Sequence, residues 1–115
     1  MPAPIVFFDI AGPKEANLAE FYQAVFEWPC DQTGNFIAGN APDLAGALRE
    51  DPADKVIYMG VPDVSATLDL IAKSGGTIDT PRFEVSGVVV LGLFLDPAGN
   101  RMGLVEMEDD KVKVP

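Results

Sequence analysis

Asp96-Pro97-Ala98-Gly99-Asn100-Arg101-Met102-Gly103-Leu104-Val105-Glu106 is the stretch whose reading decides the fold of this chain. Proline presets one backbone dihedral and glycine and asparagine accept the left-handed region, so Asp96 to Asn100 is a tight turn of the hairpin kind. The apolar run that leaves it, Met102 to Glu106, is a strand.

Working outward, the preceding run Val85 to Leu95 is a strand broken by Gly87 and Gly92, and Thr77-Ile78 begins another. Before these, Val64, Leu68, Ile71 and Ala72 form an apolar helical stripe, with Asp63 as an N-cap and Gly75-Gly76 as the stop. Lys55 to Val61 is the strand that leads in. The order is strand, helix, then three strands.

The first half repeats that plan. Alternation in Ile5 to Ile10 places Val6, Phe8 and Ile10 on one strand face and Ile5, Phe7 and Asp9 on the other. Pro13 to about Glu27 is read as one helix, with Leu18, Phe21, Tyr22, Val25 and Phe26 facing inward and Lys14, Glu15, Glu20 and Gln23 in water. Pro29 forbids its continuation. Gly34, Gly39, Pro42 and Gly46 then bound two or three short strands around Phe36 to Ala38 and Leu44 to Leu48. Asp51-Pro52-Ala53-Asp54 is the midpoint turn. Ile10 and Val61 lie 51 positions apart, and Gly46 and Gly103 fill similar places in the two closing strands. Half-units of about 4–50 and 55–107 are each too small for a stable core of their own, so halves must pack in pairs, within one chain or across a dimer.

The composition narrows the functional classes. With 115 residues, 48 % hydrophobic and 23 % charged, the chain reads as one globular domain. No apolar run approaches a membrane span, and Met1 to Ile5 lacks the features of a secretory signal, so a cytoplasmic protein with no membrane partner is expected. Eighteen acidic against eight basic residues, a net charge of −10, repel phosphate backbones, which argues against nucleic acid. Cys30 is the sole cysteine and histidine is absent, so disulfides, two-cysteine metal clips and Ser-His-Asp catalysis are excluded. Cys30 and Trp28 read as packing residues, Trp28 in a core or an interface, and Glu106 to Pro115 as a frayed, charged stretch, residues 108–115 being the tail of the single domain of residues 1–115.

Three stretches carry a family resemblance: Leu18-Ala19-Glu20-Phe21-Tyr22 leading to Val25-Phe26-Glu27-Trp28, Val61-Pro62-Asp63-Val64 leading to Gly75-Gly76, and the Asp96 to Asn100 turn. In order and spacing, over about residues 4–107, the chain resembles the vicinal oxygen chelate superfamily of glyoxalases, bleomycin-resistance proteins and extradiol dioxygenases. The resemblance implies an α+β fold of two tandem βαβββ units whose mixed sheets curl around a cavity, and a homodimer. It also implies a metal held from the first and last strands of each half. Transferred onto this chain, those positions are Ile5 and Val56, normally His, and Gly103 with its counterpart Gly46, normally Glu. A slip of two residues puts Phe7 and Tyr58 at the first-strand positions instead. None is an effective metal donor, so no metal and no cofactor are expected.

The candidate ligand-binding residues are then Phe7, Asp9, Tyr58 and Arg101. Asp9 is the acid inside an apolar strand, able to serve as a base if buried or to sit solvated at the strand end. Arg101 shares a strand face with Gly103 and Val105 and can bind a carboxylate, pair with Asp9, or form a surface ion pair. Phe7 and Tyr58 supply apolar wall, the phenol adding a hydrogen-bonding handle. The expected function is metal-free binding of a small apolar or cationic molecule. The alternative is a glyoxalase-like lyase or isomerase that uses Asp9, Tyr58 and Arg101.

Overall fold

A computed structural model of the chain describes residues 2–29, 35–37 and 44–115. Cys30 and part of the expected strand region between the two halves lie outside the described residues. The chain divides into two compact units, one of Val6–Ile57 and the other of Tyr58–Pro115 together with the N-terminal residues to Ile5.

In the first unit, β1 (Ile5–Gly12) leads to a short 3-10 turn (Lys14–Ala16) and helix α1 (Leu18–Phe26), followed by β2 (Asn35–Ile37) and β3 (Ala45–Glu50). The strand β1 pairs in parallel with β3, and β2 pairs antiparallel with β3. The single helix expected over Pro13 to Glu27 is interrupted at Asn17, whose left-handed backbone (φ 49°, ψ 54°) ends the 3-10 turn and restarts the chain as α1. Asparagine tolerates that conformation better than most residues, which is why the break falls there. Tyr22 stacks on Trp28 with ring centroids 5.2 Å apart, and Phe8 meets Trp28 edge-on at 6.2 Å. Phe21, Val25 and Phe26 remain more than half exposed.

The second unit takes in the end of β4 (Asp54–Val61), then α2 (Val64–Lys73), β5 (Thr77–Val85), β6 (Val89–Leu95), β7 (Arg101–Glu108) and β8 (Lys111–Val112). Its strand order is β4-β7-β6-β5, with β4 parallel to β7 and the other neighbours antiparallel. Asp63 caps α2 by accepting the Ala66 N–H at 2.9 Å. Val61, Val64, Leu68, Phe94 and Leu104 make the core between α2 and the sheet. Gly92 lets the helix approach closely, since a Cβ there would lie 2.6 Å from Val64 Cγ1.

Two expectations change here. The strand that opens at Thr77 does not stop at Ile78 but runs to Val85 through Pro81, tolerated because β5 is the outermost strand of this order. The tail is not frayed. β8 pairs with β7, the Lys113 N–H donates to the Glu106 carbonyl at 2.9 Å and the Gly87 N–H to the Pro115 carbonyl at 3.1 Å.

Candidate functional site

The Asp96 turn sets the register of β7. The Asp96 carboxylate accepts the Ala98 and Asn100 N–H groups, each at 2.9 Å, and the Asn100 side-chain amide at 2.8 Å. Those bonds, the Asn100 side chain first, hold its pKa below the ordinary value. With the turn so held, Met102 and Leu104 face α2, and Gly103 and Val105 face the other side of the sheet.

On that side Tyr58 of β4 lies directly across from Gly103 of β7. The ring is buried, only 8 % exposed, and lies flat enough on the glycine that an added Cβ would overlap it, standing 3.0 Å even from the ring's Cγ. Leu93 of β6 is Gly103's other neighbour and is buried too. Arg101, at the start of β7, directs its Nε to Asp79 Oδ2 at 3.3 Å, both side chains about one-third exposed.

In the first unit Phe7 and Asp9 share a face of β1 and stand opposite Ala45 and Ala47 of β3. Of the two environments open to Asp9, the structure places it in the buried one, at 5 % exposure. Its partner in this unit is Arg49 of β3, with Nε 3.1 Å from Asp9 Oδ1. The same guanidinium reaches Asp51 at 2.7 Å and Asp54 at 3.6 Å. Burial alone would lower the Arg49 pKa, but the contacts with Asp9 and then Asp51 outweigh it and raise it. Phe8 and Gly12, on the other face of β1, turn toward Trp28 and Leu18. Gly46 stands opposite Phe8 on that face, and a Cβ at Gly46 would come within 2.5 Å of the ring.

A second buried carboxylate, Glu106 of β7, is the most elaborately bound acid among the described residues. Arg82 of β5 grips it with two parallel bonds, Nε to Oε2 at 3.0 Å and Nη2 to Oε1 at 3.1 Å. The Val64 N–H, at the first turn of α2, donates at 3.1 Å, and Lys113 Nζ stands 3.4 Å away. The Arg82 bonds, opposed by burial and reinforced by Val64, pull the carboxyl from 4.5 to about 2. This acid joins strand, helix and tail, and its geometry is that of a structural clamp.

Sequence reasoning singled out neither Arg49 nor Arg82. Both were legible as lone cations in an acidic chain, each with a buried acid waiting inside an apolar strand, but nothing local says which acid meets which base. For the metal that the resemblance implies, the residues present do not fit. Ile5 is 58 % exposed and Val56 is buried alkyl, while Gly46 and Gly103 lie against aromatic rings. Among the described residues no three Cys, Asp or Glu side chains gather as a metal shell would need. No helix among them is long and apolar enough to cross a membrane.

No family model matches the chain. Among curated proteins it is similar to one named as a glyoxylase, CFP32, of Mycobacterium tuberculosis and Mycobacterium bovis, with 25 % identity over 111 residues covering 84 % of this chain. The match takes in 42 % of those proteins, so the chain spans about two-fifths of their length. Among solved structures, the methylmalonyl-CoA epimerase of Mycobacterium tuberculosis superposes with a TM-score of 0.65 at 12 % identity, over 94 % of this chain and 93 % of the epimerase. A methylmalonyl-CoA epimerase in complex with methylmalonyl-CoA and ammonium gives 0.66 at 17 % identity over the whole of both chains. The 2,3-dioxygenase LapB from Pseudomonas sp. KL28 gives 0.57 at 12 % identity over 90 % of this chain and 42 % of the enzyme.

Proposed function

On the premise that this chain is a member of the vicinal oxygen chelate superfamily with its glyoxalase-like fold, we propose that it binds a small organic molecule and does so without a metal ion. The observation that carries this reading is that Val56 and Gly103 stand where the resemblance implies ligating side chains, within a fold shared with an epimerase in complex with methylmalonyl-CoA. Phe7, Asp9, Tyr58 and Arg101 are the side chains assigned to ligand contact. Tyr58 and Phe7 provide aromatic surface, Asp9 and Arg101 opposite charges. The net charge of −10 favours a cationic or neutral apolar ligand over an anion. A homodimer with cytoplasmic residence completes the proposal, the dimer supported by the superfamily's habit of completing its cavity sheets with a partner and by the abundance of apolar residues in so short a chain.

The test is a thermal-shift screen of the purified protein against cationic antibiotics, acyl-thioesters and aldehyde–thiol adducts, each with and without added Zn, Ni or Mn. A ligand at a hundredfold excess over its Kd should add about 2.7 kcal/mol of stability. A ligand that stabilises only with metal present would overturn the metal-free reading. Turnover of a stabilising thioester or adduct, lost in Asp9→Asn and retained in Gln23→Ala, would select the lyase or isomerase alternative. Sedimentation of a monomer at micromolar concentration would remove the dimer.

A further inference from the structure

Gly103 occupies the last-strand position at which the resemblance implies a metal-binding glutamate. It stands across from Tyr58 in the parallel first and last strands of its half, on the face turned away from α2. Gly46, by contrast, stands across from Phe8 on the face that carries Leu18 and Trp28; it is therefore not the counterpart the resemblance implied, and the residue opposite Phe7 is Ala45. In both pairs the ring occupies the volume that any side chain on the glycine would need.

We infer that Tyr58 and Gly103 form one coupled unit, a ring seated on bare backbone, that has taken over the metal-ligand position of the second half and closes it to a divalent cation. Which position is concerned rests on the superfamily reading, and the steric conflict is between the Tyr58 ring and any Cβ at 103. A carboxylate placed at 103 cannot be accommodated while Tyr58 keeps its place. The ring must rotate out of a packed site, with its buried neighbours Leu93 and Val105 on the same face. Restoring a ligand there requires change at both positions. Tyr58 thus keeps the 103 position closed by packing on its backbone.

The experiment is a double-mutant cycle on the full chain, comparing wild type, G103A, G103E, Y58A, Y58A/G103A and Y58A/G103E by thermal denaturation and by calorimetric titration with Zn, Ni and Mn. G103A should lower Tm by roughly 5–15 °C, as overpacking does in a chain of this size. G103E should do so at least as strongly. In the Y58A background the same change at 103 should cost much less, leaving the double variants more stable than the two single losses predict. Wild type should show no stoichiometric metal heat. Should G103E prove too unstable to purify, G103A against Y58A/G103A measures the same coupling. Additive losses within error, or a stoichiometric metal site in wild type abolished by Y58A, would overturn the inference. A screen that finds no small-molecule ligand would count against the proposed function and leave this coupling untouched.

Discussion

The helices α1 and α2 begin from nearly the same sequence signal and finish in different states. Each carries an apolar stripe at helical spacing, yet α2 buries Val64 and Leu68 completely while α1 has no buried residue. Their ends differ as well. Asp63 caps α2 with a side-chain bond and Glu106 receives its first-turn Val64 N–H, whereas Asn17 makes no side-chain cap to α1 and both ends of α1 sit in the left-handed region. The sheet differs in parallel. The buried acid of the second unit is gripped by a bidentate arginine, a backbone N–H and a lysine, while the first unit's Asp9 shares one arginine with two exposed carboxylates. The lesson is that periodicity announces which face is apolar, and the helix's stability depends on whether that face and the helix ends find partners.

The sharpest way to break this comparison is to truncate equivalent stripe residues. Leu68→Ala should destabilise by about 3 kcal/mol, from lost transfer energy plus a cavity, while Phe21→Ala should stay within about 0.5 kcal/mol in chemical denaturation. Equal losses would mean that the α1 stripe is covered in solution.

Glu106→Gln should cost about 2–3 kcal/mol, because Arg82 is left facing a neutral amide and the Val64 N–H loses a charged acceptor. Asp9→Asn should cost less, since Arg49 keeps Asp51 and Asp54. A larger loss for Asp9→Asn in urea unfolding would reverse the ranking of the two clamps.

The pH dependence sharpens the same contrast. Glu106 titrates at about 2 in the folded protein against 4.5 when unperturbed, so its contribution is complete above the unperturbed value and is lost as pH falls through the folded one. The stability gap between wild type and Glu106→Gln should therefore be constant above pH 4.5 and narrow steadily toward pH 2. A gap that widened on acidification would contradict the clamp.

Smaller effects are expected at the helix ends and the tail. Asp63→Ala should cost about 1 kcal/mol as a lost N-cap. Asn17→Gly should be neutral or stabilise slightly, because its left-handed backbone suits glycine and no capping bond is lost. Lys113→Met should cost about 0.5 kcal/mol or less, its ammonium being more than one-third exposed at 3.4 Å from Glu106. Thermal denaturation of the three variants side by side settles that order.

Much of the architecture was legible in the residues. The Asp96 turn, the Asp63 cap, the Gly75-Gly76 stop and the alternation in β1 are local signals whose chemistry acts over a few residues, and each appears where the pattern places it. The break at Asn17 was not legible, because Pro13 to Glu27 reads as one amphipathic run and a left-handed asparagine leaves no periodic trace. The extent of β5 was hidden by Pro81, acceptable only on an outermost strand, and strand order is not a local property.

What the sequence determined by itself is the inventory: two strand-and-helix halves, no histidine and one cysteine to build a conventional metal shell, a strongly acidic charge balance, and a resemblance in order and spacing to one superfamily. The pairings were decided by tertiary structure. Arg82 reaches Glu106 across 24 residues and Arg49 reaches Asp9 across 40, and the rings of Phe8 and Tyr58 come to rest on glycines 38 and 45 positions further along. The reason is physical. Turn and cap preferences are energies between neighbours in the chain, whereas an ion pair or a ring-on-backbone contact exists only once sheet register has brought distant residues to the same few ångströms.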